Sequence, residues 1–181
     1  MKSLRHAVPF LLALAAPYFL RAQAVISEEN RTPDAQNVRV SWLGDLDGGT
    51  DDEWAGFQFA YASEIYPLDQ MVISYSHTSP DGAAHHGVML AVEEEYPISE
   101  HIVPYGVAGI GYMWTDFDEG VVGDSTGWYG KIGGGLLVKL CEAAGVYAEV
   151  TYQASDRDLW LDDDEADSQN IVGMLGVRFY Y

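Results

Sequence analysis

Gln169-Asn170-Ile171-Val172-Gly173-Met174-Leu175-Gly176-Val177-Arg178-Phe179-Tyr180-Tyr181 brings the chain to its end on an alternation. Ile171, Gly173, Leu175, Val177, Phe179 and Tyr181 share one parity, while Asn170, Arg178 and Tyr180 lie on the other. Successive side chains of a strand point to opposite faces, so this segment has an apolar, aromatic face that stops on an aromatic residue. That is the form of the closing strand of an outer-membrane β-barrel. It specifies a location and a fold but no reaction.

The amino-terminal end indicates the same address. Met1-Lys2-Ser3-Leu4-Arg5 is basic, Ala7 to Ala16 is apolar apart from Pro9, and Ala22-Gln23-Ala24 follows. This reads as a secretory signal over 1–24, cleaved after Ala24. The apolar run is shorter than the ~20 residues of a spanning helix. Residues 25–36 are then expected to form a periplasmic segment and 37–181 the barrel.

Twenty-eight acidic residues face nine basic ones, a net charge of −19, and loss of Lys2, Arg5 and Arg21 with the signal takes it to −22. Nucleic acid is excluded as a partner, because its recognition depends on neutralising phosphates with Lys and Arg. Cys141 is the single cysteine, so no intrachain disulfide can form, and it lies far from the cleavage site where a lipid anchor would be attached.

Parity predicts eight strands, near 37–44, 53–63, 70–79, 85–96, 101–115, 127–140, 146–155 and 169–181, separated by Gly/Asp/Pro-rich breaks. The turn around Ser79-Pro80-Asp81-Gly82 sets Tyr75 opposite Val88, Ile73 opposite Leu90 and His77 opposite His86, and parity agrees across that hairpin. The expected fold is an all-β, eight-stranded, antiparallel up-and-down transmembrane barrel.

Arg39, Lys131, Lys139 and Arg178 fall on the face opposite the apolar stripe, as do Glu64, Glu93, Glu95 and Glu149. Only Glu94 breaks the sorting, and it is expected at the periplasmic rim. A cation at mid-membrane on the lipid side would cost about 2–4 kcal/mol, so this sorting suits a lipid-facing exterior. An eight-stranded barrel has no room for open water, so the octet is expected to pair as a structural charge network in the lumen. Gly109, Gly133 and Gly135 would give its larger groups room. A soluble barrel of the lipocalin kind would invert the two faces, and parity alone cannot separate the two. The aromatic residues near the strand ends favour the membrane.

Connections alternate in character. The segments 45–52, 79–84, 116–126 and 155–168 carry sixteen acidic residues, and those at 64–69, 97–100 and 141–145 carry four. The acidic end is expected to be extracellular and both termini periplasmic. Asp162, Asp163, Asp164 and Glu165 offer clustered carboxylate oxygens to calcium, but their spacing is not that of an EF-hand. A solvated loop, with weak divalent binding at most, is the expectation; no cofactor is expected. Gly106-Val107-Ala108-Gly109-Ile110-Gly111 is read as strand glycine, since no helix follows it.

His77 and His86 face one another with His85 adjacent, and an interface-level histidine pair is expected, because zinc normally takes three protein ligands or more and no third is evident. His77-Thr78-Ser79 is similar to the His-x-Ser element of outer-membrane lipid A deacylases, in which histidine activates serine. In those enzymes the element lies on the penultimate strand, which here reads Thr151-Tyr152-Gln153-Ala154-Ser155 without a histidine. His77 and Ser79 are therefore the only catalytic candidates, and the chain is read as a non-enzyme.

Pro104-Tyr105-Gly106-Val107-Ala108-Gly109-Ile110-Gly111-Tyr112, with the closing Gly176-Val177-Arg178-Phe179-Tyr180-Tyr181, resembles small outer-membrane barrels of the OmpA-like and opacity-porin type. The resemblance covers essentially all of the chain after the signal. It implies a diderm bacterium's outer membrane, contact with outer-membrane lipids, and insertion by the barrel-assembly machinery, which would read Ile171, Leu175, Val177, Phe179 and Tyr181. Members of that type serve as structural proteins, adhesins or narrow pores, which implies a structural or surface-interaction role; the acidic loops themselves are expected to meet divalent cations or an extracellular ligand. A lipid-modifying enzyme or a narrow pore is the alternative. With the chain stopping at Tyr181, no peptidoglycan-binding domain is expected.

Overall fold

The computed structural model describes residues 36–46, 55–65, 68–79, 83–117, 126–155, 157, 160–162, 165–167 and 169–181. The proposed signal and nearly all of the segment 25–36 lie outside them. Eight long strands, β1 (Asn37–Asp45), β2 (Ala55–Ile65), β3 (Leu68–Thr78), β4 (Ala83–Glu95), β5 (Ile102–Phe117), β6 (Thr126–Cys141), β7 (Ala144–Ser155) and β10 (Gln169–Tyr180), close into one barrel. All of its neighbours are antiparallel, and β1 meets β10 from Asn37↔Tyr180 to Asp45↔Val172.

All eight expected strands are present. The β3–β4 register is the one that parity required, with Ile73 opposite Leu90, Tyr75 opposite Val88 and His77 opposite His86. One difference lies in the acidic segment after β7, where β8 (Trp160–Asp162) and β9 (Glu165–Asp167) pair as a small separate hairpin rather than a plain loop. Trp160 and Leu161 are good strand formers, and their pattern is lost among the surrounding carboxylates on a reading by composition.

The two faces are sorted as a lipid-facing exterior requires. Trp42, Ile73, Ile110, Val150 and Leu175 are exposed on the outer wall, whereas Arg39, Glu93, Lys131, Glu149 and Arg178 are buried inside. The inverted sorting of a lipocalin-like barrel is therefore not the one adopted. Glu94 keeps its outward parity opposite Gly106, next to the last residue of β4 and beside a short turn, and is 7% exposed. Register shifts between Ser63 and Ile65 and between Lys139 and Cys141 both sit beside the short turns, where an extra residue lets a strand bend into its neighbour.

Besides its charges, the lumen is packed by two apolar clusters. Ala60, Val72, Met89, Met113 and Tyr129 belong to one, and Leu43, Val103, Tyr105, Leu137, Tyr147 and Met174 to the other. Tyr105 lies opposite Gly135 and Tyr129 opposite Gly111 across the β5–β6 ladder. A Cβ on Gly111 would come within 2.6 Å of the Tyr129 ring, and one on Gly135 within 2.5 Å of the Tyr105 ring. The glycines therefore admit the rings, as expected for Gly135. A Cβ on Gly109 would meet Ala91, and one on Gly133 would meet Thr151; at all four glycines it would also come within 2.2–2.9 Å of a carbonyl oxygen of a neighbouring strand, so all four admit close strand packing.

Candidate functional site

Two regions concentrate the chemistry: a polar brace across the lumen and a row of rings on the outer wall. The brace begins at the seam, where Arg39 of β1 and Arg178 of β10 are register partners. Like charges at such a position repel, and the carboxylate of Glu93 reaches over from β4 to both. Arg39 Nη1 lies 2.6 Å from Glu93 Oε2, and Arg178 Nη2 lies 2.8 Å from Glu93 Oε1. Arg178 Nη1 also donates to Glu95 Oε1 at 2.5 Å.

Amides complete the cluster. Arg39 donates from Nε to Asn37 Oδ1 at 2.8 Å and from Nη2 to Gln70 Oε1 at 2.5 Å, while Gln70 Nε2 donates to Glu95 Oε1 at 3.2 Å. The Arg178 guanidinium also lies 5.4 Å from the Tyr105 ring centre and 5.6 Å from that of Tyr147. Buried charges persist when they are paired and bonded, and opposite charges, amide bonds and ring faces all act on this pair of arginines.

A second pair sits apart from the first. Lys131 Nζ lies 2.9 Å from Glu149 Oε1, and Tyr105 donates its hydroxyl to Glu149 Oε2 at 3.0 Å. Lys139 lies over the Tyr180 ring at 5.8 Å. Six of the eight sequence-selected charges, Arg39, Arg178, Glu93, Glu95, Lys131 and Glu149, are thus brought into ion pairs. Lys139 and Glu64 are both half-buried. Tyr105 and Tyr129 share the lumenal parity of their strands with these charges, and a glycine lies opposite each.

On the outer wall, Trp42, Phe57, His77, His86 and Trp114 are successive register partners from β1 to β5. The two histidines thus occupy places in an aromatic row, towards the end of the barrel that bears the acidic connections. His77 Nδ1 lies 3.3 Å from His86 Nδ1, and Tyr75 Oη lies 2.9 Å from the same His86 atom. His86 stacks on Trp114 with ring centres 5.6 Å apart and planes 7° apart, and His77 packs on Phe57 at 5.3 Å. His85, of opposite parity, is buried inside and bonded to Thr115 at 2.9 Å.

Ser79 is exposed just beyond β3, and His77 points to His86 rather than to it. The described residues contain no cluster of three or more His, Cys, Asp or Glu able to hold a metal. Asp162 pairs with Glu165 in the small hairpin, while Asp163 and Asp164 lie outside the described residues. Of the terminal-strand residues, Leu175, Phe179 and Tyr181 are exposed on the outer wall, with Ile171 and Val177 half-buried beside them. Tyr181 N bonds to Gln36 O at 3.3 Å.

No protein-family model and no curated protein sequence matches the chain. Solved structures do. Neisserial surface protein A is similar with a TM-score of 0.61 at 10% identity, over 83% of this chain and 98% of that one. The N-terminal β-barrel domain of OprF from Pseudomonas aeruginosa gives 0.56 at 15% identity, over 82% and 99%. Ail, the attachment invasion locus protein of Yersinia pestis, gives 0.53 at 14%, over 83% and 100%. What these proteins share with the chain is architecture: it has the eight-stranded barrel fold of the small outer-membrane proteins.

Proposed function

We propose that the chain is an outer-membrane barrel with a structural or surface-interaction role, closed to solutes along its axis and meeting the outside through its acidic connections. One observation carries the reading: the Arg39–Glu93–Arg178 brace and the Lys131–Glu149 pair fill a lumen whose outer wall is apolar. The eight barrel strands run from 9 to 16 residues, enough for the ~9–11 that cross a bilayer at a tilt. Outer-membrane lipids would cover the apolar wall. The barrel-assembly machinery would read the β10 stripe of Ile171, Leu175, Val177, Phe179 and Tyr181. Divalent cations or an extracellular ligand would meet the acidic end.

The lumenal octet is structural in this reading. An open-pore function would need a continuous wet path, and two apolar clusters and three bulky tyrosines stand in it. The test combines membrane fractionation, heat-modifiable gel migration and planar-bilayer recording. A protein in the outer-membrane fraction that migrates faster unboiled and carries no steady conductance meets the expectation. A soluble, heat-insensitive species would overturn the location, and stable single-channel steps would overturn the closed lumen.

A further inference from the structure

We infer that His77, His86 and Tyr75 form a binding site for a divalent transition metal on the outer wall of the barrel. Three heteroatoms from two adjacent strands converge there: His86 Nδ1 lies 3.3 Å from His77 Nδ1 and 2.9 Å from Tyr75 Oη. The single in-plane lone pair of His86 Nδ1 can be directed at one hydrogen-bond donor, yet two groups approach it. An ion between the three would take a lone pair from each, with both imidazoles neutral at Nδ1 and the phenol proton released to solvent as the metal binds. Metal–nitrogen bonds of 2.0–2.1 Å put tetrahedral ligands about 3.3 Å apart, which is the separation of the two imidazole nitrogens.

The rings are held in place before any ion arrives. His77 and His86 are direct register partners with centres 4.6 Å apart. Trp114 stacks on one ring and Phe57 packs against the other, so little side-chain freedom is left to lose on binding. Both imidazoles and the phenol are half-buried, in a row of rings towards the strand ends that bear the acidic connections rather than at the middle of the apolar wall. The site falls short of three His, Cys, Asp or Glu ligands, and the phenol oxygen supplies the third.

Imidazole nitrogen selects copper, nickel and zinc over calcium and magnesium, and the general order of affinities puts Cu(II) first. The large negative charge of the chain raises the local concentration of any divalent cation at its surface. The site is therefore distinct in chemistry from the carboxylate-rich segment at 162–165.

The test is a Cu(II) titration of the full mature chain refolded in zwitterionic micelles, read by tryptophan fluorescence and pulsed electron paramagnetic resonance. One Cu(II) per barrel, quenching of fluorescence and a two-imidazole signature are expected. His77→Phe and His86→Phe keep ring packing and should each weaken binding by about tenfold or more, since even loss of an outer-shell partner costs 10–100-fold. Tyr75→Phe should keep both nitrogens and bind more weakly. Heat-modifiable migration identifies closed barrels, and His77→Gln and His86→Gln serve if a phenylalanine variant fails to close. Absence of Cu(II) binding, or equal binding by the His77/His86 double variant, overturns the site. Equal binding by Tyr75→Phe overturns the three-ligand set.

Discussion

Arg39 and Arg178 sit directly opposite one another on the two strands that close the barrel, and the carboxylate of Glu93 is bonded to both. Neutralising that carboxylate with Glu93→Gln leaves two buried cations facing each other. Breaking a buried pair by removing one partner costs about 3–5 kcal/mol. The expected outcome is a destabilisation of that size in urea unfolding of the refolded barrel. Replacing Arg39, Glu93 and Arg178 together by apolar residues of like volume should cost less than Glu93→Gln alone. The opposite order would mean that the brace does not hold the seam by its charges.

Lys131→Met removes the cation beside Glu149, whose other oxygen accepts from Tyr105. An isolated buried carboxylate follows, and the expected loss is again about 3–5 kcal/mol. Lys131→Met with Glu149→Gln should recover much of it, because the residual charge is gone. A double-mutant cycle with no coupling between the two positions would contradict the pairing.

Gly111→Ala introduces a methyl group against the Tyr129 ring. Overpacking of this kind costs about 1–3 kcal/mol. The cost should shrink in part when Tyr129→Leu is already present, since the ring edge is then absent while the Val88 carbonyl oxygen, 2.7 Å from the added methyl, remains. Unfolding midpoints of the two single variants and the double variant measure this, and strictly additive changes would place the clash elsewhere.

Ile73 is the sixth of the eleven residues of β3 and is 58% exposed on the outer wall. In vesicles, Ile73→Arg should lower stability by about 2–4 kcal/mol if that wall faces hydrocarbon at mid-bilayer. Guanidinium unfolding from lipid vesicles reads the change. A variant as stable as the unsubstituted barrel would show that Ile73 meets water.

Local alternation made most of the architecture legible before any coordinates. In β10, the split between Leu175 and Phe179 on one side and Arg178 on the other assigns the faces, and the break after Ser79 fixes the β3–β4 register. The choice of ion-pair partners was not legible, because Glu93 meets Arg39 and Arg178 across the lumen. Strand tilt and stagger around the whole barrel decide which levels coincide there. The Tyr129–Gly111 and Tyr105–Gly135 fits were hidden for a related reason: a glycine in a strand announces close approach without naming what approaches. On the outer wall, His77 and His86 were readable as a facing pair, but Tyr75 enters their cluster only through the diagonal reach of its phenol, two positions along the same strand.

The seam between β1 and β10 also orders events in time. It joins the first barrel strand of the chain with the last, so a sheet assembled without β10 would keep two raw strand edges. Such edges are templates for pairing with other chains, and contacts so distant in sequence form slowly. Closure removes both edges in a single step, which makes the finished ring and its precursor differ more in aggregation hazard than in local structure.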